Sequence, residues 1–595
     1  MATNLMRIIR RTASPENLEV VKNYNLHPAA QVVLANRATK YETCPGRILD
    51  TGINGLDSPL SLPDVELAAE RIADAVVSGE VIGLETDHDV DGVTSHAVIY
   101  QALKNFFGVA PDKLLPYIGH RLHEGYGLSD KLADRILAAN VRPSLIITAD
   151  NGSSDEDRIA RLLEHGIHTV VTDHHGMPEE GPPKSAYACV SPARPDSQYP
   201  DPLIAGVMVS FLLMCVVRMR LIDRGYLNAD APKLTSLLDY VALGTIADCV
   251  SLARSQNNRI VINAGLKLIE SGMRPCWRVV RPLLGDAAKP VTATDMGFKV
   301  GPFINSAGRL DDAMVGVRYL LANTDSVSHE HLMKLVESNN ERREIEKVMK
   351  DEALLAAKAQ ADAGKVVMQI RLENGHPGVH GIVASRVVEA FGRPAVCFSD
   401  EVGSENVLTA SARGIEGTHV RDAMAAVQQA SPGLLLRFGG HQGAGGMKVQ
   451  TDRLEELMEL YEGAMAKQVG ERVLEPAIFV DGTVPTNQIG EGLIQGLRAL
   501  EPYGREFEAP LFMGSFVPAQ LNAIGADKTH WKMKLQGREG GVFDAIVFNH
   551  GTEAPMTTGL RYWVVFSPEL NWWKGRATVQ LMVRYIERDQ DDKQS

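Results

Sequence analysis

Three aspartates stand at alternate positions, Asp87, Asp89 and Asp91, in the run Glu85-Thr86-Asp87-His88-Asp89-Val90-Asp91-Gly92. Directly before it lies Val81-Ile82-Gly83-Leu84, an apolar run that reads as a buried strand. Carboxylates crowded at the end of such a strand repel one another unless a cation neutralises them. Oxygen-rich clusters of this kind suit hard divalent ions such as Mg2+ or Mn2+. Taken alone, the motif fits a solvated acidic turn equally well, so the choice depends on what the rest of the chain supplies.

Two further strand patterns follow, each ending in polar chemistry. Ser144-Leu145-Ile146-Ile147-Thr148 leads into Ala149-Asp150-Asn151-Gly152-Ser153-Ser154, and Thr169-Val170-Val171-Thr172 leads into Asp173-His174-His175-Gly176. Helix-like stretches at Val93–Phe107 and Asp155–Glu164 separate the strands. This β-α-β-α rhythm predicts a parallel sheet with helices on its faces. Ligands of such sheets sit at the carboxyl ends of the strands, where all three strands deliver acids or imidazoles. A fourth acid, Asp248, follows the apolar helix predicted over Leu234–Ile246.

At 595 residues the chain holds several domains. Its hydrophobic content of 45% and charged content of 23% are those of a soluble globular protein. The net charge of −13 argues against a passive polyanion binder, while leaving room for a locally basic channel. Cys44, Cys189, Cys215, Cys249, Cys276 and Cys397 form no CxxC pair, as expected of reduced intracellular thiols. Met1–Arg11 lacks the apolar core of a secretory signal. The apolar segment Leu203–Val217 is too short to span a bilayer comfortably and is expected to be a buried helix. Cytoplasmic localisation and no membrane contact are therefore expected.

Downstream, residues 328–363 are highly charged and contain no proline, which predicts a long solvent-exposed connecting helix. An apolar block opens at Val366-Val367-Met368, contains Gly378-Val379-His380-Gly381-Ile382-Val383-Ala384-Ser385-Arg386 and ends in Gly439-Gly440-His441-Gln442-Gly443-Ala444-Gly445-Gly446. From about residue 470 short strands and turns predict a small β-barrel.

Asp87 and Asp89, with Asp91 as a further candidate, Asp150, His174 with His175, and Asp248 together meet the needs of a metal site. Bridging carboxylates with an imidazole can hold two divalent ions about 3.5–4 Å apart, which grip a phosphate and stabilise a leaving oxygen.

These ordered motifs resemble the DHH phosphoesterase superfamily and, more narrowly, the RecJ family of single-strand-specific exonucleases. The resemblance also covers Leu34-Ala35-Asn36-Arg37, Gly244-Thr245-Ile246-Ala247-Asp248, Ile304-Asn305-Ser306-Ala307-Gly308-Arg309-Leu310 and Ser411-Ala412-Arg413. It implies an α/β fold with a parallel-sheet DHH domain, a smaller α/β DHHA1 domain joined by a long helix, and a C-terminal OB-like barrel. The expected boundaries are an N-terminal extension over 1–50, the DHH domain over 51–325, the helix over 326–363, DHHA1 over 364–467, the barrel over 468–588 and a polar tail over 589–595.

By the same resemblance, Asp87 and Asp150 would hold one ion. Asp89, Asp150, His174 and Asp248 would hold the other, with Asp150 bridging. His175 would contact the scissile phosphate or orient the attacking water, and Asp91 would support the site or cap the helix starting near Val93. Arg309, Arg386 and Arg413 are expected phosphate clamps, because guanidinium pairs bidentately with phosphate. Ser411, Gly440 and His441 are further expected substrate contacts. In the barrel, Trp531, Phe543 and Phe548 are candidates for base stacking.

The implied activity is Mn2+- or Mg2+-dependent 5′ to 3′ exonuclease action on single-stranded DNA, in recombination and repair. A monomer is expected, with a single-strand-binding protein and a helicase as family-implied partners. The alternative is a DHH phosphodiesterase for oligoribonucleotides or cyclic dinucleotides, and a third reading is a non-catalytic replication scaffold. The chain departs from the family pattern at His88, where an aromatic residue is usual, at His380, where an aliphatic one is usual, and at Gly375, where tryptophan is common.

Overall fold

The computed structural model describes residues 6–121, 123–310, 312–404 and 406–589. The polar tail lies outside them beyond Asp589.

The first large unit is built on a five-stranded parallel sheet. Its spatial order is Leu114–Ile118, Ile82–Thr86, Leu145–Ala149, His168–Thr172 and Ala188–Val190. The three predicted strands are its centre, and the two outer strands were not singled out in the sequence. The strand Ile82–Thr86 is buried throughout, as its near-continuous apolar run demands in a sheet covered on both faces. Helices Val65–Ser78, Val90–Gln101, Gly206–Asp223 and Leu238–Ala247 bury one face in a single large core. Leu203–Val217 thus lies largely within the buried helix Gly206–Asp223. Among the described residues no helix is long and apolar enough to cross a membrane.

The charged stretch after residue 325 forms one helix of 38 residues, Asp325–Asp362. It differs from expectation in one respect. Leu332, Leu335, Asn339, Arg342, Met349, Ala353 and Ala357 are buried, so a stripe of the helix packs against both units it joins. Its dense charge had masked that stripe. The second unit is a five-stranded mixed sheet that includes Val407–Arg413 and the Gly-rich hairpin Leu435–Gly440/Ala444–Gln450.

The last unit is a closed barrel. Phe512–Ile524 pairs with His530–Gly537 on one side and with Tyr562–Trp573 on the other. Arg576–Arg588 and Val542–Val547 complete the ring.

The N-terminal segment is part of this unit. Arg7–Arg10 pairs in parallel with Ala477–Val480. The helix Pro28–Lys40 shares a core with the barrel and with Leu252, Ala253 and Ile262 of the parallel-sheet unit. Two buried arginines weld these parts. Arg37 and Asp481, both fully buried, pair through both guanidinium nitrogens at 2.6 and 3.2 Å, and Asn36 donates to the same carboxylate at 3.1 Å. The Leu34–Arg37 motif is therefore architectural. Arg259 donates to the carbonyls of Ile48, Leu252, Leu500, Glu501 and Pro502, which come from three separate stretches of chain, and lies over the Phe507 ring. Burial pushes its pKa down to about 10, which leaves it charged at neutral pH.

Removing one member of a buried pair leaves the other charge uncompensated. Arg37→Ala should lower unfolding stability by about 3–5 kcal/mol, measured by urea titration. An unchanged midpoint would show that the Arg37–Asp481 pair does not hold the N-terminal segment to the barrel.

Candidate active site

Strand register positions the first acids. Thr86, Ala149 and Thr172 are paired neighbours, and the ladder runs one residue further. Asp87 N donates to Ala149 O, Asp150 N to Thr172 O and Asp173 N to Val190 O. Asp87, Asp150 and Asp173 therefore stand in a row along the carboxyl edge of the sheet. Asp150 adopts a left-handed backbone (φ 63°), which costs about 1–3 kcal/mol for a residue other than glycine. The surroundings hold it there, since a Cβ on Gly206 would sit 2.8 Å from its Oδ1.

Helix termini bring in the rest. Asp89 caps the helix Val90–Gln101, its Oδ1 accepting from the backbone N–H of Asp91 and Gly92. Gly92 is required, because a Cβ there would lie 2.2 Å from Asp87 O. Asp91 was expected either to support the site or to cap the helix near Val93. It caps another helix, accepting from Gly206 and Val207 N–H at 2.7 and 2.9 Å. Asp248 directly follows the helix Leu238–Ala247. The 304–310 motif forms a helix end that braces the first loop. Asn305 Oδ1 accepts from Val90 N–H, and Gly308 lies against His88 O.

Three overlapping groups of possible ligand atoms result, each within 4.8 Å: Asp87, Asp89 and Asp150; Asp150, His174 and His175; Asp91, His174 and Asp248. His174 Nε2 lies 3.2 Å from Asp150 Oδ1 and 3.6 Å from Asp248 Oδ2. Asp150 Oδ1 and His174 Nε2 are buried and neither has a hydrogen bond. Two buried atoms with free acceptor capacity face each other, as ligands of a shared cation do.

The electrostatics agree. Burial, then the charges of Asp91, Asp89, Asp87 and Asp248, push Asp150 well above the usual carboxylate range. Burial and Asp89 raise Asp91 to about 7. Burial and the neighbouring His175 lower His174 to about 4, which keeps it the neutral imidazole that metals bind. His175 behaves oppositely. Burial works against its charge, but Nδ1 lies 2.8 Å from Asp173 Oδ1 in a hydrogen bond that raises its pKa to about 9. Asp173 also accepts from the N–H groups of Ser153, His174 and His175, and so fixes the loop. Its role as the orienter of His175 was missed in the sequence, although it precedes the two histidines.

Across the cleft, Arg309 is largely buried and donates to Gly378 O at 2.9 Å. Burial, Arg121, Arg342 and Arg413 lower its pKa to about 10, with Asp89 opposing. Arg413, at the end of the strand Val407–Arg413, lies so close to Gly381 that a Cβ there would meet its Nη2 at 2.3 Å. Ser411 pairs with Gly446 on the neighbouring strand. Gly440 has φ 142° and no room for a Cβ, which would meet Ala444 O at 2.4 Å. Partial burial, then the charges of Arg505, Arg413 and His175, hold the pKa of His441 low.

Arg386 is engaged elsewhere. Its guanidinium pairs with Glu389 and Glu346, three and forty positions away in sequence. Of the barrel aromatics, Phe543 is core, edge-on to Phe516, which corrects its expected stacking role. Trp531 is half-buried and donates to Gly551 O, Phe548 is 48% exposed, and Trp573, at the hairpin tip, is 71% exposed. Arg121 and Tyr126 were also missed. Their loop has no sequence signature, yet Tyr126 Oη lies 3.4 Å from His175 Nε2.

Residues 81–245 match the family model for the DHH family, N-terminal domain; 363–467 match the DHHA1 domain; 480–585 match the RecJ OB domain. A single-stranded-DNA-specific exonuclease RecJ of Haemophilus influenzae is 36% identical over 548 residues, covering 91% of this chain and 93% of the relative. The chain belongs to the RecJ family. The Escherichia coli RecJ exonuclease is 33% identical, covering 90% of this chain and 92% of its own. A solved RecJ exonuclease bound to manganese is 29% identical with a TM-score of 0.56, covering 69% of this chain and 98% of that structure. RecJ of Thermus thermophilus in complex with Mn2+, 23% identical, shares the fold across 99% of this chain and 80% of its own, with a TM-score of 0.77.

Asp150 is a buried carboxylate ringed by others, so neutralising it should help the metal-free protein. Asp150→Asn, which tolerates the left-handed backbone, should raise metal-free stability by about 1–3 kcal/mol. It should also abolish the added stability that Mn2+ confers on the parent chain. Calorimetric scans with and without Mn2+ measure both, and Mn2+ stabilisation retained in full would exclude Asp150 as a ligand.

Proposed function

We propose that this chain is a metal-dependent exonuclease that hydrolyses single-stranded DNA from its 5′ end, in recombination and repair. The observation that carries this reading is the pair of facing, hydrogen-bond-free atoms, Asp150 Oδ1 and His174 Nε2, within a buried cluster of carboxylates. Relatives named as single-stranded-DNA-specific exonucleases, matched over most of the chain, supply the substrate class.

Asp87, Asp89, Asp150, His174 and Asp248 would hold two divalent ions, Mn2+ or Mg2+, with Asp150 shared. The donor set fits: several hard carboxylate oxygens and one neutral imidazole, three of whose atoms are buried without a hydrogen bond. Bound ions of this class supply Lewis acidity and charge neutralisation at phosphate oxygens. The remaining work belongs to the chain. Asp173 locks His175 Nδ1, so Nε2 is turned toward Tyr126 and the cleft, where it can donate to a phosphate oxygen. Arg309 and Arg413 offer guanidinium groups to the strand's phosphates. The glycines at 439 and 440 allow a backbone to approach closely. Binding through phosphates and base faces should be salt-dependent and weakly selective for sequence. We also infer from the family resemblance a cytoplasmic monomer that works with a single-strand-binding protein and a helicase.

Single-stranded DNA labelled at either end tests the reading. With Mn2+, 5′ label should appear early as mononucleotide, EDTA should stop the reaction, and dinucleotides should be poor substrates. Release beginning from the 3′ end would overturn the polarity. Preference for dinucleotides would favour the small-substrate phosphodiesterase instead.

A further inference from the structure

His88 stands where the family usually carries an aromatic ring, and its two nitrogens face two different charged groups. Nε2 lies 3.3 Å from Arg121 Nη1. Nδ1 lies 2.8 Å from Asp87 Oδ1. Arginine has donors and no acceptor, so the first contact requires a bare Nε2. The ring proton then sits on Nδ1, next to the Asp87 carboxylate. That oxygen has no hydrogen bond of good geometry, so the Asp87 contact is one of proximity between the N–H side of the ring and the carboxylate. A phenyl ring at this position could make neither contact.

The ring is held in place from several sides. His88 is 6% exposed, its backbone carbonyl is pressed against Gly308, and Tyr126 stands edge-on at 5.9 Å. Arg121, by contrast, has no carboxylate within ion-pair distance among the described residues, and its guanidinium rests on His88. Its charge helps to lower the pKa of Asp87 and, across the cleft, those of Arg309, Arg413, His376 and His380. A guanidinium that no carboxylate pairs with, facing other guanidinium groups across a cleft, is a group prepared for an anion from outside. A free arginine side chain samples many rotamers, and fixing one in advance removes that loss from binding.

We propose that His88 is a positioning residue that anchors on Asp87 and holds Arg121 toward the cleft, where Arg121 takes a backbone phosphate of the bound strand. The proposal rests on the reading of the cleft as a single-stranded-DNA site. It assigns His88 to substrate grip and leaves the metal ligands to the carboxylates and His174.

A double-mutant cycle tests it by equilibrium binding of a fluorescent oligothymidylate in EDTA, where no turnover occurs. Arg121→Ala should weaken binding about tenfold, and the slope of log affinity against log salt should shrink by about 0.7, one phosphate contact on a single strand. His88→Phe should weaken binding about fivefold and shrink the slope in the same direction. The double variant should bind no more weakly than Arg121→Ala alone. His88→Gln, whose amide oxygen can accept from Arg121, should recover most of the loss. A measurement of Mn2+ binding to the same proteins should show His88→Phe within about threefold of the parent, since the Asp87 carboxylate remains. The proposal is overturned if His88→Phe leaves affinity and salt slope unchanged, if its effect persists in full in Arg121→Ala, or if it loses Mn2+ while retaining DNA. Failure of the parent protein to bind single-stranded DNA would instead remove the functional reading on which the proposal stands.

Discussion

Repulsion among Asp87, Asp89, Asp91, Asp150 and Asp248 is the constraint around which the catalytic half is arranged. Five acids sharing one small volume do not all stay ionised in a dry site, and the raised pKa values of Asp89, Asp91, Asp150 and Asp248 express that conflict. The fold offsets part of it with backbone dipoles. Asp89 and Asp91 each accept two N–H groups at helix starts, where the positive end of the helix dipole also favours them. The balance is left for cations. His174 stays neutral in these surroundings because burial and the charge on His175 outweigh the pull of Asp173.

A second scale of organisation lies far from the chemistry. Arg37 and Arg259 are buried cations whose partners are distant in sequence, and each is satisfied almost completely. Together they tie the N-terminal helices and the barrel to the flank of the catalytic unit. Glu506 extends the junction by accepting from Arg254, while the charge on nearby Arg505 opposes the rise that burial, Asp91 and Asp89 impose on the pKa of Asp248, so the barrel's leading segment reaches the rim of the site.

Much of this was legible in advance. The parallel sheet followed from apolar runs that end in Asp87, Asp150 and Asp173, because a strand buried on both faces has no alternation to confuse it. The long helix was legible from its charge and lack of proline, whereas its buried stripe was not, since small and polar residues such as Ala353, Ala357 and Asn339 carry no hydrophobic signal. Arg386 illustrates the limit of motif reasoning. It lies in the same segment as groups facing the cleft, yet its helix turns it toward Glu346 and Glu389. Phe543 and Phe548 are close in sequence, but they point to opposite sides of a strand and its end, one into the core and one into solvent.

The sequence by itself determined which chemistry was on offer: hard oxygen ligands with one imidazole, delivered at strand and helix ends, ahead of a Gly-rich, arginine-bearing second unit. Strand period and residue type are local properties, so a single chain displays them directly. Only the tertiary structure decided that Asp91 caps the helix at Gly206 and that Arg121 comes to rest on His88. Those pairings join residues as much as 115 positions apart. They depend on sheet order and loop closure, which no local pattern records.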